Sequence, residues 1–283
     1  MSTLPGYVWA MAMIGLIGTI ASICVMLWAG AVGAGLPRRV AARMAGGFVI
    51  CWNGWVLVSA VLARADVYRF EPTKPLPLLL LALMGALVAA LLFTRVPPVS
   101  RVLAEPDTLL RLTLPHVFRV VAGVAFLVAM ALGELPAVFA LPAGLGDVAI
   151  GLEAVFVARS LRRGRVGPAI LWFNILGLAD LVVALGTCYA ASPTATRLLP
   201  AATRLLIATP TTQAISLLPL ALVPTTMVPL AAALHLTSLR RLRETISRKA
   251  LPQQWGARND ADNCSPGQLP GHLAGDRPVG RTR

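Results

Sequence analysis

The chain has 283 residues, 57% of them hydrophobic and only 13% charged, where soluble domains carry roughly 25% charged residues. Its formal net charge is +13, yet the basic residues sit mainly in short loops between apolar runs and in the tail, and no nucleic-acid reader motif accompanies them, which argues against nucleic acid as a partner. The apolar runs are continuous rather than alternating. That excludes a membrane β-barrel and predicts a polytopic all-α membrane protein whose first partner is the lipid bilayer.

Seven stretches have about the length a helix needs to cross ~30 Å of hydrocarbon. They are residues 8–30, 46–63, 76–94, 115–133, 137–159, 168–190 and 212–236. No Lys or Arg precedes the first, which also exceeds the core of a secretory signal, so it reads as a retained span. The second holds Cys51-Trp52-Asn53-Gly54-Trp55, whose indoles read either as a cavity wall or as interface anchors. Residues 95–114 mix Pro97, Pro98 and Arg residues with Leu and are expected along the cytoplasmic surface. Gly133-Glu134-Leu135-Pro136 makes the fourth and fifth spans a tight hairpin. Residues 195–206 contain ATRLL twice, either a short amphipathic piece or a chance duplication. Pro219, Pro224 and Pro229 each remove a backbone donor and bend the last span. From Leu251 the chain turns polar and rich in Gly and Pro, which predicts a disordered cytoplasmic tail over 251–283 behind a transmembrane domain over 1–250.

Lys and Arg predict the orientation. With the N-terminus outside, nineteen of the 25 fall in cytoplasmic segments and five in outer loops, and Arg119 lies inside the fourth span. Arg240, Arg241 and Arg243 then follow the last span, where anionic lipid headgroups would meet them. The excess of Arg (23) over Lys (2) points to a GC-rich bacterial genome and hence to a bacterial inner membrane. Cys24, Cys51, Cys188 and Cys264 have neither redox nor metal-ligand spacing, so no metal is expected.

Polar residues inside the apolar runs are the candidates for function. Asp147 lies ten residues from the outer end of its span and Asp180 twelve from the cytoplasmic end of the next, depths of about 15 Å and 18 Å. The two carboxylates therefore meet near the midplane. Gly144-Leu-Gly-Asp-Val-Ala-Ile-Gly-Leu also matches Gly177-Leu-Ala-Asp-Leu-Val-Val-Ala-Leu at an offset of 33 residues, with small residues that allow close backbone approach. If Pro142, Gly144 and Gly146 break the fifth span, Asp147 caps the inner half-helix. Otherwise Asp147 and Asp180 form an ion or proton site, or simply tie helices together. Arg119 counts as about 6 Å into the fourth span, with Glu153 and Asn174 at similar cytoplasmic depth. An Arg119–Glu153 pair is expected there, as a salt bridge or a gate. His116 and His235 fall near the cytoplasmic ends of their spans; nothing else supports haem ligation, so no cofactor is expected. No nucleophile–base constellation appears, and the chain does not read as an enzyme.

The run FALPAGLGDVAIG, followed by LWFNILGLADLVVA and PLALVPTTMVPLAAALHL, resembles bacterial multi-pass inner-membrane proteins with no assigned function, over residues 115–240. That resemblance implies a helical membrane fold and carries no substrate. Two functions remain as expectations. One is transport or ion translocation by Asp147 and Asp180, with a cytoplasmic cluster of Arg119, Glu153 and Asn174. The other is a non-catalytic scaffold or complex subunit whose buried polar residues are structural.

Overall fold

The computed structural model describes residues 4–71, 77–195 and 210–263, and every regular element among them is helical. Helix α1 spans Gly6–Gly33, α2 Arg38–Arg64, α3 Leu78–Phe93 and α4 Pro97–Leu103. Helix α5 (Thr108–Thr113) runs through a 3₁₀ turn, Leu114–Phe118, into α6 (Arg119–Ala131). Helices α7 (Ala137–Arg162) and α8 (Pro168–Ala190) follow. A 3₁₀ turn at Thr212–Ser216 and a π-helical turn at Val223–Met227 then lead into α9 (Val228–Asn263).

Glycine and proline punctuate these helices. Gly35, Gly133 and Gly164 adopt positive φ (69°, 75° and 72°) just past α1, α6 and α7. That left-handed geometry lets Leu36, Glu134 and Arg165 return N–H bonds to Ala31, Ala129 and Ser160, closing each helix. Pro37 and Pro136 then precede α2 and α7, and Pro168 opens α8, where a missing N–H costs nothing.

Among the described residues five helical segments are long and apolar enough to cross a membrane: α1, α2, Thr108–Ala131, α7 and α8. The α3–α4 pair, bent by 80°, makes a sixth if it is one span. The stretch 212–236, expected as a seventh span bent by its prolines, is divided into a 3₁₀ turn, a π-helical turn and the start of α9. Pro224 cannot bond the Leu220 carbonyl, which instead accepts the Val223 N–H at 3.0 Å. Pro229 likewise leaves the Thr225 carbonyl free, and Trp55 Nε1 donates to it at 2.9 Å. Trp55 is thus tied to the interior of the bundle, and Trp52 is buried.

Three further expectations change. The fourth span starts at Thr108, because Pro115 sits inside a continuous helical segment rather than at its entrance. Helix α7 is unbroken: Pro142 lies within it, and Asp147 is an interior residue, not a cap. Helix α9 continues past Leu251 to Asn263, so residues 251–263 are helical where Gly and Pro predicted none, while 264–283, with Cys264, and both ATRLL copies apart from Ala195 lie outside the described residues. The chain divides into Met1–Leu242, which holds the packed bundle, and Arg243–Arg283.

Within the first unit α6 packs against α7, α7 against α8, and α1 against α2 and α6. The α6–α7 contact is backbone on backbone. A Cβ on Gly123 would collide with the Gly144 carbonyl, and one on Gly151 would come within 2.6 Å of Val120 Cγ2. Small residues therefore set this crossing, as dispersion-driven packing in lipid requires. The outward faces are apolar, with Ile50 74%, Val182 69% and Phe156 67% exposed, a surface that lipid tolerates and water does not.

Candidate functional site: a buried arginine between two aspartates

Arg119 opens α6 at the end of the 3₁₀ turn, eleven residues into the segment Thr108–Ala131 and hence about 16 Å deep. Its side chain is 6% exposed. The guanidinium Nε donates to Asp147 Oδ1 on α7 at 2.6 Å, and Nη2 donates to Asp180 Oδ2 on α8. The third branch, Nη1, lies 3.3 Å from His235 Nε2 on α9. Four helices thus converge on one cation.

Hydrogen-bond direction follows from Arg119, which has donors and no acceptor. His235 Nε2 must accept, so the ring is neutral and its proton sits on Nδ1. That proton goes to Asn174 Oδ1 at 3.0 Å, and Asn174 Nδ2 donates to the Ile170 carbonyl at 2.7 Å. Every polar atom along this chain is matched, as a low-dielectric interior demands. His116 stacks on His235, with ring centroids 3.9 Å apart, and Phe173 packs edge-on to His116.

Glycines make room for the charged groups. A Cβ on Gly146 would overlap the Asp180 carboxylate, and one on Gly177 would overlap the His235 imidazole. The two matched segments therefore act alike. Each contributes an aspartate to Arg119 and glycines that let its partner approach.

Two spaces adjoin the triad. A cavity of about 390 Å³, apolar apart from its floor, reaches Asp147 and Asp180 from the end of the bundle that holds Phe70, Phe139 and Tyr189. On the other side lies a space of about 20 Å³ bounded by Thr19, His116, Arg119 and Asp147. That is scarcely more than one water molecule fills.

The sequence-predicted residues are thus brought together in a different pairing. Asp147 and Asp180 meet as expected from their depths, but across Arg119. Asn174 joins through His235. Glu153 does not pair with Arg119: it is half-buried on another face of α7 and has no partner among the described residues. His235 is the member that depth counting missed; its signal was a lone imidazole in an apolar run. Among the described residues no group of three or more His, Cys, Asp or Glu side chains is placed to hold a metal.

Residues 76–243, more than half of the chain, match the family model described as Domain of unknown function (DUF8737). The chain belongs to that family. Arg119, Asp147, Asn174, Asp180 and His235 all fall inside the DUF8737 match, whereas α1 and α2 precede it. No curated protein and no solved structure matches this DUF8737 chain.

Proposed function

We propose that this DUF8737 protein moves a proton or small cation across a bacterial inner membrane through the Arg119–Asp147–Asp180 site. The reading takes the N-terminus outside, as the distribution of Lys and Arg favours, with the proline-rich stretch 212–236 completing seven crossings. The observation that carries it is the charge count. Two buried carboxylates share one guanidinium, so the triad holds one negative charge in excess at the floor of a cavity. Low dielectric makes such an excess costly, and a proton or monovalent cation neutralises it. Arg119 then acts as a tethered competitor. Cargo arriving at one carboxylate releases that branch of the guanidinium, while the other carboxylate and His235 retain it.

The test is flux into liposomes carrying an entrapped pH dye, repeated with sodium and potassium gradients. The native protein is expected to dissipate an imposed gradient, and Asp180→Asn, which removes the excess charge, to abolish that flux while remaining folded. Folded Asp147→Asn and Asp180→Asn variants with unchanged flux would end the transport reading. A structural role is favoured by one observation: the chain from Arg119 to Ile170 is fully hydrogen-bonded. On that second reading the protein is a scaffold or complex subunit, and native liposomes show no flux at all.

A further inference from the structure

We infer that the slot between α2 and α3 binds one anionic phospholipid from the leaflet on the basic side of the bundle. The inference needs insertion in a membrane but not the transport reading. Helices α2 and α3 are consecutive and antiparallel, yet they do not zip together. Each packs on the Val223–Met227 turn, and they meet through the Phe48 and Phe93 rings, 5.8 Å between centroids. A space of about 860 Å³ is left between them, within the roughly 300–1,000 Å³ of ordinary ligand pockets.

Its chemistry is that of an amphiphile's berth. The walls are apolar, with Phe48, Ala86 and Leu234 among them, and the one charged wall residue is Arg43. Arg43 stands at the end where Arg38 and Arg39 are also exposed, so the mouth is cationic. From Arg43 to Trp55 the α2 wall runs twelve residues, about 18 Å. One leaflet offers about 15 Å of hydrocarbon, half of the ~30 Å core. The slot therefore has the depth of one lipid, with the positive charge at headgroup height. The bent α4 contributes Pro98 and Val99 to its wall.

Two glycines widen the slot. Gly47 and Gly85 both line the slot, and a Cβ on either would meet nothing within 4 Å. Glycine is unfavourable inside a helix, and Gly47 and Gly85, like Gly46, Gly54 and Gly186, touch no protein atom that would require it. At Gly47 and Gly85 the missing side chains leave room for an acyl chain to lie against both helices.

The experiment is lipid retention. The protein is extracted from vesicles of mixed phosphatidylglycerol and phosphatidylcholine, delipidated by detergent washing, and weighed intact by native mass spectrometry. One tightly held phosphatidylglycerol per chain is expected, preferred over phosphatidylcholine. Gly47→Leu/Gly85→Leu projects two side chains into the slot from Cβ positions that touch nothing within 4 Å, and is expected to lose that lipid while melting normally. Arg43→Gln is expected to keep a lipid but lower the preference for the anionic headgroup about fivefold, the share of one basic charge. Retention of the same lipid by the filled variant would overturn the inference, as would a native protein with no retained lipid. A dimer of the native protein that the filled variant loses would also overturn it, by assigning the slot to a second copy.

Discussion

The charge arithmetic at Arg119 makes an asymmetric prediction. Asp147→Asn or Asp180→Asn leaves one guanidinium and one carboxylate, a neutral pair, and the new amide oxygen still accepts the Arg119 N–H. Each change is expected to cost no more than about 1.5 kcal/mol, the size of one net hydrogen bond. Arg119→Met instead leaves two carboxylates facing each other in an interior where Asp147 is only 9% exposed. Breaking a buried pair by removing one partner costs about 3–5 kcal/mol. For a chain of this size that corresponds to a loss of roughly 6–20 °C in melting temperature. The triple variant Arg119→Met/Asp147→Asn/Asp180→Asn carries no buried charge at the site and is expected to recover most of that loss. The assay is thermal unfolding in detergent followed by tryptophan fluorescence, with six indoles as reporters. An Arg119→Met protein that melts within about 2 °C of Asp180→Asn would refute the reasoning, because the guanidinium would not then be what compensates the two acids.

Three further outcomes are expected. Gly146→Ala drives a methyl into the Asp180 carboxylate and should lose about 1–3 kcal/mol, whereas Gly54→Ala, with open space around it, should be neutral or gain up to about 1 kcal/mol; equal melting temperatures would contradict the close approach. Trp55→Phe strands the Thr225 carbonyl at a cost of about 1–3 kcal/mol, and adding Pro229→Ala, which restores an N–H four residues on, should return part of it; strictly additive losses in this double-mutant cycle would show that the indole bond does not matter. Tyr68, outside the spanning helices, is buried, and burial raises its hydroxyl pKa above the ordinary value near 10 despite the Ser59 hydroxyl 3.3 Å away. The folded state therefore holds this proton more tightly than the unfolded chain. Stability should fall as pH rises past about 10, and Tyr68→Phe should flatten that alkaline decline; an unchanged slope would place the titrating group elsewhere.

Composition and periodic hydropathy determined that the chain is helical, where most of its long helices begin and end, and which polar residues lie deep. Gly-x-Pro punctuation at Gly35-Leu36-Pro37 and at Gly133 to Pro136 works through local backbone geometry, so it is legible without neighbours. Depth is also legible, since each residue adds a fixed rise, and depth alone brought Asp147 and Asp180 to one level. Direction was not. Glu153 follows Asp147 by six residues, about 240° around α7, and so faces away from the arginine that its depth seemed to offer. Arg119 was counted from Pro115 as shallow, because a proline ordinarily marks a helix start. Packing instead carries the helix through from Thr108 and lowers Arg119 to the middle of the bundle. His235 was hidden by the π-helical turn before it, whose extra residue per turn rotates everything downstream. Local chemistry fixes where a helix runs and how deep a residue sits. Which buried charges meet depends on the rotation and register of four helices at once, and only their mutual packing sets that.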